Sequence, residues 1–323
     1  MSRRNAGLLA LLFLVAACGG KDKPALEERP EPLIVYASYE DTEYLPEFFR
    51  AFTDETGVYV TVRHQPAAAN VANMIDGHNQ RPADVFVAGR AADAWQVAEN
   101  GGLRPLYPES YADTVPESMR DAEGYWAAWS FSEANVVFAS GATAVDAANA
   151  WQAIAGQAYD DALCMSSSNN PGNRSLIAHM IRKLGKRDAE ILVRSWLRNL
   201  ALPPLDTDLD VLEAVDAGTC EAGIVFSQAV SRHQQATGDD SKHYVRPAPA
   251  YADAEVVGVA RHARQAELAQ QLVAWMLSPE QQRRHARATG RLPALDGQQA
   301  EPVGAAAWYD EEAALLIERV VYR

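Results

Sequence analysis

The stretch Leu163 to Gly185, LCMSSSNNPGNRSLIAHMIRKLG, decides how the chain folds. Leu163-Cys164-Met165 reads as a short buried strand and Ser166 to Gly172 as a tight polar loop. Asn173 to Leu184 reads as an amphipathic helix with Leu176, Ile177, Met180, Ile181 and Leu184 on one face. The first backbone N–H groups of such a helix lack intrahelical partners, and the macrodipole adds partial positive charge, so the loop favours an anionic or oxygen-rich ligand. Ser166, Ser167, Ser168 and Asn169 stand at that spot as candidate ligand contacts. The alternative is that Ser168 or Asn169 merely caps the helix.

Outward from this stretch the chain alternates strand and helix. Leu33 to Ser38 reads as a buried parallel strand. Leu45 to Glu55 follows as a helix with Phe48, Phe49 and Phe52 on its inner face, stopped at Gly57. Val58 to Val62 and Ala83 to Val87 read as further strands, with helices over Ala69 to Asp76 and Ala91 to Asn100. This is an open α/β lobe. Trp126 to Ser130 and Ala134 to Ser140 read as two extended segments of a crossover, separated by the polar residues Ser130 to Glu133. Asp206-Thr207-Asp208 caps a short helix through Ala217, and CEAGIVF from Cys220 is a second buried strand. In open α/β sheets the ligand lies beyond the carboxyl ends of the strands, which draws Ser38 and the residues after it to the same crevice as the serine loop.

Composition bounds what such a crevice serves. The 323 residues suffice for two lobes, and 48% hydrophobic residues suffice for their cores. The formal charge of −14 argues against a nucleic-acid-binding surface, where affinity comes from cations displacing counterions. At the N-terminus, Ser2-Arg3-Arg4-Asn5 is basic, Leu8 to Val15 is apolar but too short to span a bilayer, and Val15-Ala16-Ala17-Cys18 follows. These residues resemble a bacterial lipobox. That resemblance implies a signal peptide over residues 1–17, a lipid on Cys18, a flexible tether over 18–32, and a mature protein held at a membrane in the periplasm or at an extracellular face. Of the remaining cysteines, Cys164 and Cys220 are an even pair in an exported chain and lack the short spacing of a zinc or redox motif. They are expected to form a disulfide between neighbouring strands.

The ordered segments VYASYEDTEYLPEFFRAFTDETGVYV, RPADVFVAG, LRPL, GYWAAW, LCMSSSNNPGNRSLIAHMI, DAGTCEAGIVFS and LSPEQQ together resemble bacterial ferric-iron ABC-transporter substrate-binding proteins. The resemblance covers about Leu33 to Arg323. It implies an α/β, two-lobed periplasmic-binding-protein fold of the class II type, with the ligand in a cleft between lobes. Lobe one is expected over 33–130 plus 244–290, and lobe two over 131–243 plus 291–323. The resemblance further implies capture without chemistry, as a monomer, with Fe(III) as cargo and an ABC permease as partner.

Departures from that family bear on the cargo. Its members place consecutive tyrosines after the strand that follows the second cysteine, and here Gln228-Ala229-Val230 stand in their place. Tyr39, Glu40 and Asp41 offer hard oxygen donors from which a rearranged metal site could be built; the alternative is that Asp41, Thr42 and Glu43 cap the next helix. A small polar organic solute or anion is the other cargo, held by Ser38, Tyr39, Glu40, Ser130, Ser166 to Asn169, Ser227 and Gln228. A sensor or adaptor lipoprotein on the same fold is the reading outside transport. An enzyme is not expected: the chain has no phosphate-binding Gly-rich loop, no Gly-x-Ser-x-Gly elbow, no His-Glu-x-x-His run and no base evident beside its serines.

Overall fold

Leu33, Val35 and Tyr36 of β1 (Leu33–Ala37) are fully buried, as a strand apolar on both faces must be. The computed structural model describes residues 31–38, 44–77, 82–143, 145–238 and 243–323, and Pro32–Arg323 fold as one unit. After β1 come α1 (Tyr44–Thr56), β2 (Val60–His64), α2 (Ala67–Asp76), β3 (Val85–Ala88), α3 (Ala91–Glu99) and β4 (Leu103–Arg104). A long strand, β5 (Trp126–Phe138), precedes α4 (Ala150–Ala153) and β6 (Leu163–Met165). Then follow α5 (Pro171–Leu184), α6 (Lys186–Arg198), α7 (Asp208–Asp216), β7 (Ala222–Phe226), α8 (Ser227–Thr237) and β8 (His243–Val245). The chain ends with β9 (Ala252–Ala260), α9 (Ala266–Met276), α10 (Pro279–Thr289), β10 (Leu292–Pro293), α11 (Val303–Ala307) and α12 (Asp310–Val320).

The strands hydrogen-bond in the order β2-β1-β3-β9-β5-β7-β6, with β4 on β9 and with β8 and β10 on β5. β1, β2 and β3 are parallel, whereas β9 runs antiparallel to both β3 and β5. Two separate apolar cores divide this ribbon into two lobes. The first gathers Phe48, Phe49, Phe52, Trp126, Trp129 and Phe131, and the second Ala134, Trp151, Leu176, Ile177, Trp196 and Ile224. The chain therefore passes between cores within β5, between Phe131 and Ala134, and again at Tyr251 and Ala252 where β9 begins. Of the segment 291–323, Ala294, Ala300 and Val303 pack with the first core, and Ala313, Leu316, Val320 and Tyr322 with the second.

β5 corrects one expectation. Ser130 to Glu133 do not interrupt the crossover; they continue one 13-residue strand. Its first half pairs with β9 as far as Glu133, with a register shift between Ala128 and Ser130, and its second half pairs with β7 from Ala134. Polar residues survive in so buried a strand because partners wait for them: Ser130 Oγ donates to Glu255 Oε2 at 2.5 Å, and Ser132 Oγ lies 3.1 Å from Ser227 Oγ. A second correction concerns α5, which starts at Pro171 rather than Asn173. Asn170 is its cap, accepting at 3.0 Å from the Gly172 N–H, so neither Ser168 nor Asn169 has that role.

The cysteines stand as expected. β6 and β7 are parallel neighbours, and Cys164 and Cys220 are bridged with their Cα atoms 5.9 Å apart. Both are buried in a small third core with Val137, Val211, Leu212 and Val225.

Candidate ligand-binding site

A pocket of about 510 Å³ opens where the lobes meet. Its second-lobe wall comes from the starts of three helices: Asn169 to Gly172 before and in α5, Asp206 to Leu209 at α7, and Gln228, Ala229 and Arg232 on α8. Ser132 of β5, Asp253 of β9 and Arg291 close the other side.

One carboxylate organises the helix starts. Asp208 accepts from Ser166 Oγ at 2.6 Å, Asn170 Nδ2 at 2.8 Å and the Phe226 N–H at 2.8 Å, tying the β6–α5 loop, α7 and the end of β7 together. Burial pushes its carboxyl up from the ordinary value, and the donors of Ser166, Phe226 and Asn170 pull against that shift. α7 is closed by a capping box in which Thr207 and Asp210 bond reciprocally.

The serine loop is consumed by this framework. Ser166 is fully buried, receives Asn173 Nδ2 on its hydroxyl at 3.0 Å, and has its carbonyl bonded by the Tyr322 hydroxyl. Ser167 is 6% exposed; its N–H donates to the Leu205 carbonyl at 2.7 Å and its Oγ accepts from the Asn169 N–H. Asn169 alone of the four residues lines the pocket. Of the other expected contacts, Gln228 lines it. Ser130 lies buried on Glu255, Ser227 Oγ accepts from the Glu133 N–H at 3.0 Å and meets the Ser132 hydroxyl, and Ser38 receives Asn70 Nδ2 at 3.2 Å. Tyr39, Glu40 and Asp41 lie outside the described residues, as does Cys18.

Cationic groups supply what the serines do not. Arg291, 9% exposed, follows the C-terminal turn of α10. Its Nη2 donates to the Asp253 carbonyl at 2.7 Å, with Asp253 Oδ2 and Glu255 Oε1 each 3.6 Å from the guanidinium and Gln228 Oε1 3.5 Å from Nη1. Arg232 Nε and Gln228 Nε2 both donate to the Thr289 carbonyl, at 3.0 and 3.1 Å. The negative C-terminal end of α10 is thereby held by side chains of α8 across the pocket. Behind Arg291, Glu255 also takes His285 Nε2 at 2.6 Å, and His285 stacks on Trp129 with ring centroids 3.6 Å apart. Burial alone would raise the Glu255 carboxyl; Arg291, His285 and Ser130 reverse that and lower it to about 2. Sequence reasoning passed over Arg291 because a single arginine after a helix-ending glycine has no periodic signature. It read Asp208 only as part of a cap, and Asp253 not at all.

The positions expected to hold tyrosines open α8. Gln228 and Ala229 face the pocket, and Val230 is buried in the third core. Among the described residues, no three His, Cys, Asp or Glu side chains are grouped as a metal site. Trp126 and Trp129 are fully buried in the first core.

Comparison with known proteins agrees with this architecture. Trichodesmium IdiA (FutA), solved in complex with iron and citrate ligands, superimposes with a TM-score of 0.79 at 22% identity, covering 91% of this chain and 100% of that one. The ferric binding protein of Campylobacter jejuni gives 0.77 at 19% identity, over 90% of this chain and 100% of that one. Likeness at these identities establishes the two-lobed fold and nothing finer. Iron uptake protein A1 of Synechocystis is 22% identical over 221 residues, 68% of this chain, and the match spans 61% of that protein's length. The profile of the bacterial extracellular solute-binding proteins matches residues 47–314, so this chain belongs to that family, one of solute capture for transport and not of enzymes.

Proposed function

We propose that this protein is a lipid-anchored solute-binding protein of an ABC importer, and that its cargo is a small oxygen-rich solute carrying an acidic group. The observation that carries this reading is Arg291. Its guanidinium lines the pocket, and Asp253 and Glu255 fix it in place. A planar fork preorganised in this way suits a carboxylate or a similar anion, and the amide of Asn169, exposed at the pocket, suits a further oxygen. Cys18 within the lipobox-like stretch carries the anchor, and a membrane permease receives the cargo.

Ferric iron is the second reading. The observation favouring it is the likeness, over most of the chain, to proteins named for iron uptake and ferric binding. Its donors would include Tyr39, Glu40 and Asp41. Thermal unfolding with a panel of organic acids, and with Fe(III) offered as a chelate and as a free salt, decides between them. A ligand that binds only the folded protein adds about 2.7 kcal/mol at a hundredfold excess over its Kd. A shift with an organic acid that disappears in Arg291→Ala supports the first reading. A shift with Fe(III) that survives Arg291→Ala but is lost in Tyr39→Phe supports the second.

A further inference from the structure

Arg90, at the start of α3 in the first lobe, reaches out of its own lobe. Its Nη2 pairs with Asp310, the first residue of α12, and its Nε donates to Ser175 Oγ of α5 at 3.4 Å. Asp310 is shared with Arg174 of α5, whose Nε also donates to the Asp310 carbonyl at 3.3 Å. Ser175 Oγ in turn donates to Asp253 Oδ1 at 2.8 Å. We propose that Arg90 is an interlobe clasp: its bonds to Asp310 and Ser175 set the angle between the lobes and hold the cleft closed.

Three features of the cluster fit a clasp better than a static strut. The first is location. Asp253 directly follows the second passage between cores, at Tyr251 and Ala252. Asp310 lies on the third, between Val303 of the first core and Ala313 of the second. A bond at a hinge lasts only over a small range of lobe angle, because hydrogen bonds weaken steeply once the donor–H–acceptor angle falls below about 120°. The second is reversibility. Opening would leave Arg90 with Asp93, 3.8 Å away on its own helix, and Asp310 with Arg174 on its own lobe. Neither charge is stranded, so breaking the clasp avoids the penalty of an unpaired buried ion. The third is continuity with the pocket. Asp253, which receives Ser175, lies 3.6 Å from Arg291, so a ligand that draws on Arg291 acts on a group one hydrogen bond from the clasp.

The test measures lobe angle without any ligand. Spin labels on Asp54→Cys in the first lobe and Asp188→Cys in the second, both exposed positions, report the interlobe distance distribution in the full chain. Arg90→Gln is expected to lengthen and broaden it. Asp310→Asn should do the same, and the double variant should add nothing further, while Asp93→Asn, which removes only the partner Arg90 keeps on its own helix, should not lengthen it. If Arg90→Gln superimposes on the parent, or if Asp93→Asn moves the distribution as far, the clasp is wrong. Should Arg90→Gln fold poorly, Arg90→Lys, which keeps the charge but loses the fork, is read in the same way. Once a ligand is in hand, a tenfold fall in the closed fraction weakens apparent affinity about tenfold. The distance arm needs no ligand, so its failure is separate from failure of the pocket reading.

Discussion

Arg291 Nη2 donates to the main-chain carbonyl of Asp253 at 2.7 Å, which fixes a cationic fork against the strand that crosses between the lobes. The same guanidinium lies 3.6 Å from Glu255, so replacing it has two separable effects. Arg291→Ala should weaken binding of an acidic ligand by about 10- to 100-fold, the worth of a charged hydrogen bond at roughly 1.5 to 3 kcal/mol. It should also cost about 3 kcal/mol of stability, because Glu255 then keeps His285 and Ser130 but loses its arginine partner. Isothermal titration on the folded variant, beside urea unfolding, separates the two. Arg291→Lys should recover part of the stability and little of the affinity, since an ammonium cannot supply the fork.

Two buried groups predict two distinct pH windows. Burial lowers His179 to about 4, where its Nε2 meets the Ala252 carbonyl at 3.1 Å in the helix face packed on Tyr251. The unfolded chain takes up this proton near pH 6.5 and the folded one does not until about pH 4. Stability therefore falls as pH drops from 6.5 to 4, by on the order of 3 kcal/mol, and this loss then levels off. Glu255 is opposite in kind. Its lowered carboxyl contributes stability above pH 4.5, and that contribution is lost as pH falls through about 2. Urea unfolding across this range should show His179→Gln flattening the upper window only. A variant that keeps the full slope between pH 6.5 and 4 would remove His179 from the account.

How much of this was legible follows from what each feature depends on. The parallel strands, the phenylalanine face of α1 and the pairing of Cys164 with Cys220 rest on local periodicity and compartment, both of which the sequence displays. The continuity of β5 was hidden because Ser130, Ser132 and Glu133 look like a break until their partners Glu255 and Ser227 are known, and those are remote in the chain. The serine loop misled for the same reason. Four small polar residues before a helix do mark a strand-to-helix corner, but Asp208, 42 residues on from Ser166, turns Ser166 inward to bind the framework. Arg291 reached the pocket through a tertiary path that no local pattern announces.

The framework itself gives a third prediction. Asp208→Ala strips the acceptor from Ser166, Asn170 and the Phe226 N–H at once, leaving the buried Ser166 and Phe226 donors unsatisfied at about 1 to 3 kcal/mol each before relaxation. Asp208→Asn keeps one acceptor oxygen and should cost less. Ser166→Ala should lower the unfolding free energy by about 1 kcal/mol and leave ligand affinity within twofold, because Ser166 faces Asp208 and not the pocket. Strong loss of affinity in Ser166→Ala with unchanged stability would return the serine to the ligand.

The bridge between Cys164 and Cys220 closes a loop that contains α5, α6 and α7, the helices that build the second-lobe wall. Replacing both cysteines by alanine should lower stability by about 2 to 4 kcal/mol, chiefly by freeing that loop in the unfolded chain. In the parent protein, denatured without reductant, thiol labelling should find neither cysteine reactive. Two labelled thiols there would overturn the bridge.

Gly172 gives the last prediction, because here two ordinary effects oppose each other. It sits in the first turn of α5, where alanine would normally be favoured over glycine by about 1 kcal/mol. A Cβ at that position would meet Phe226 Cε2 at 2.6 Å, and Phe226 lines the ligand pocket while its N–H is held by Asp208. The ring cannot retreat into the close-packed second core, so it must turn toward the pocket. Overpacking of this kind costs about 1 to 3 kcal/mol and outweighs the helical gain. Gly172→Ala should therefore destabilise the fold and weaken ligand binding together. Gly89→Ala, where no atom lies within 4 Å of the added Cβ, should leave stability close to the parent. A Gly172→Ala protein as stable as the parent, with ligand affinity intact, would mean that Phe226 has room to move and does not shape the pocket wall.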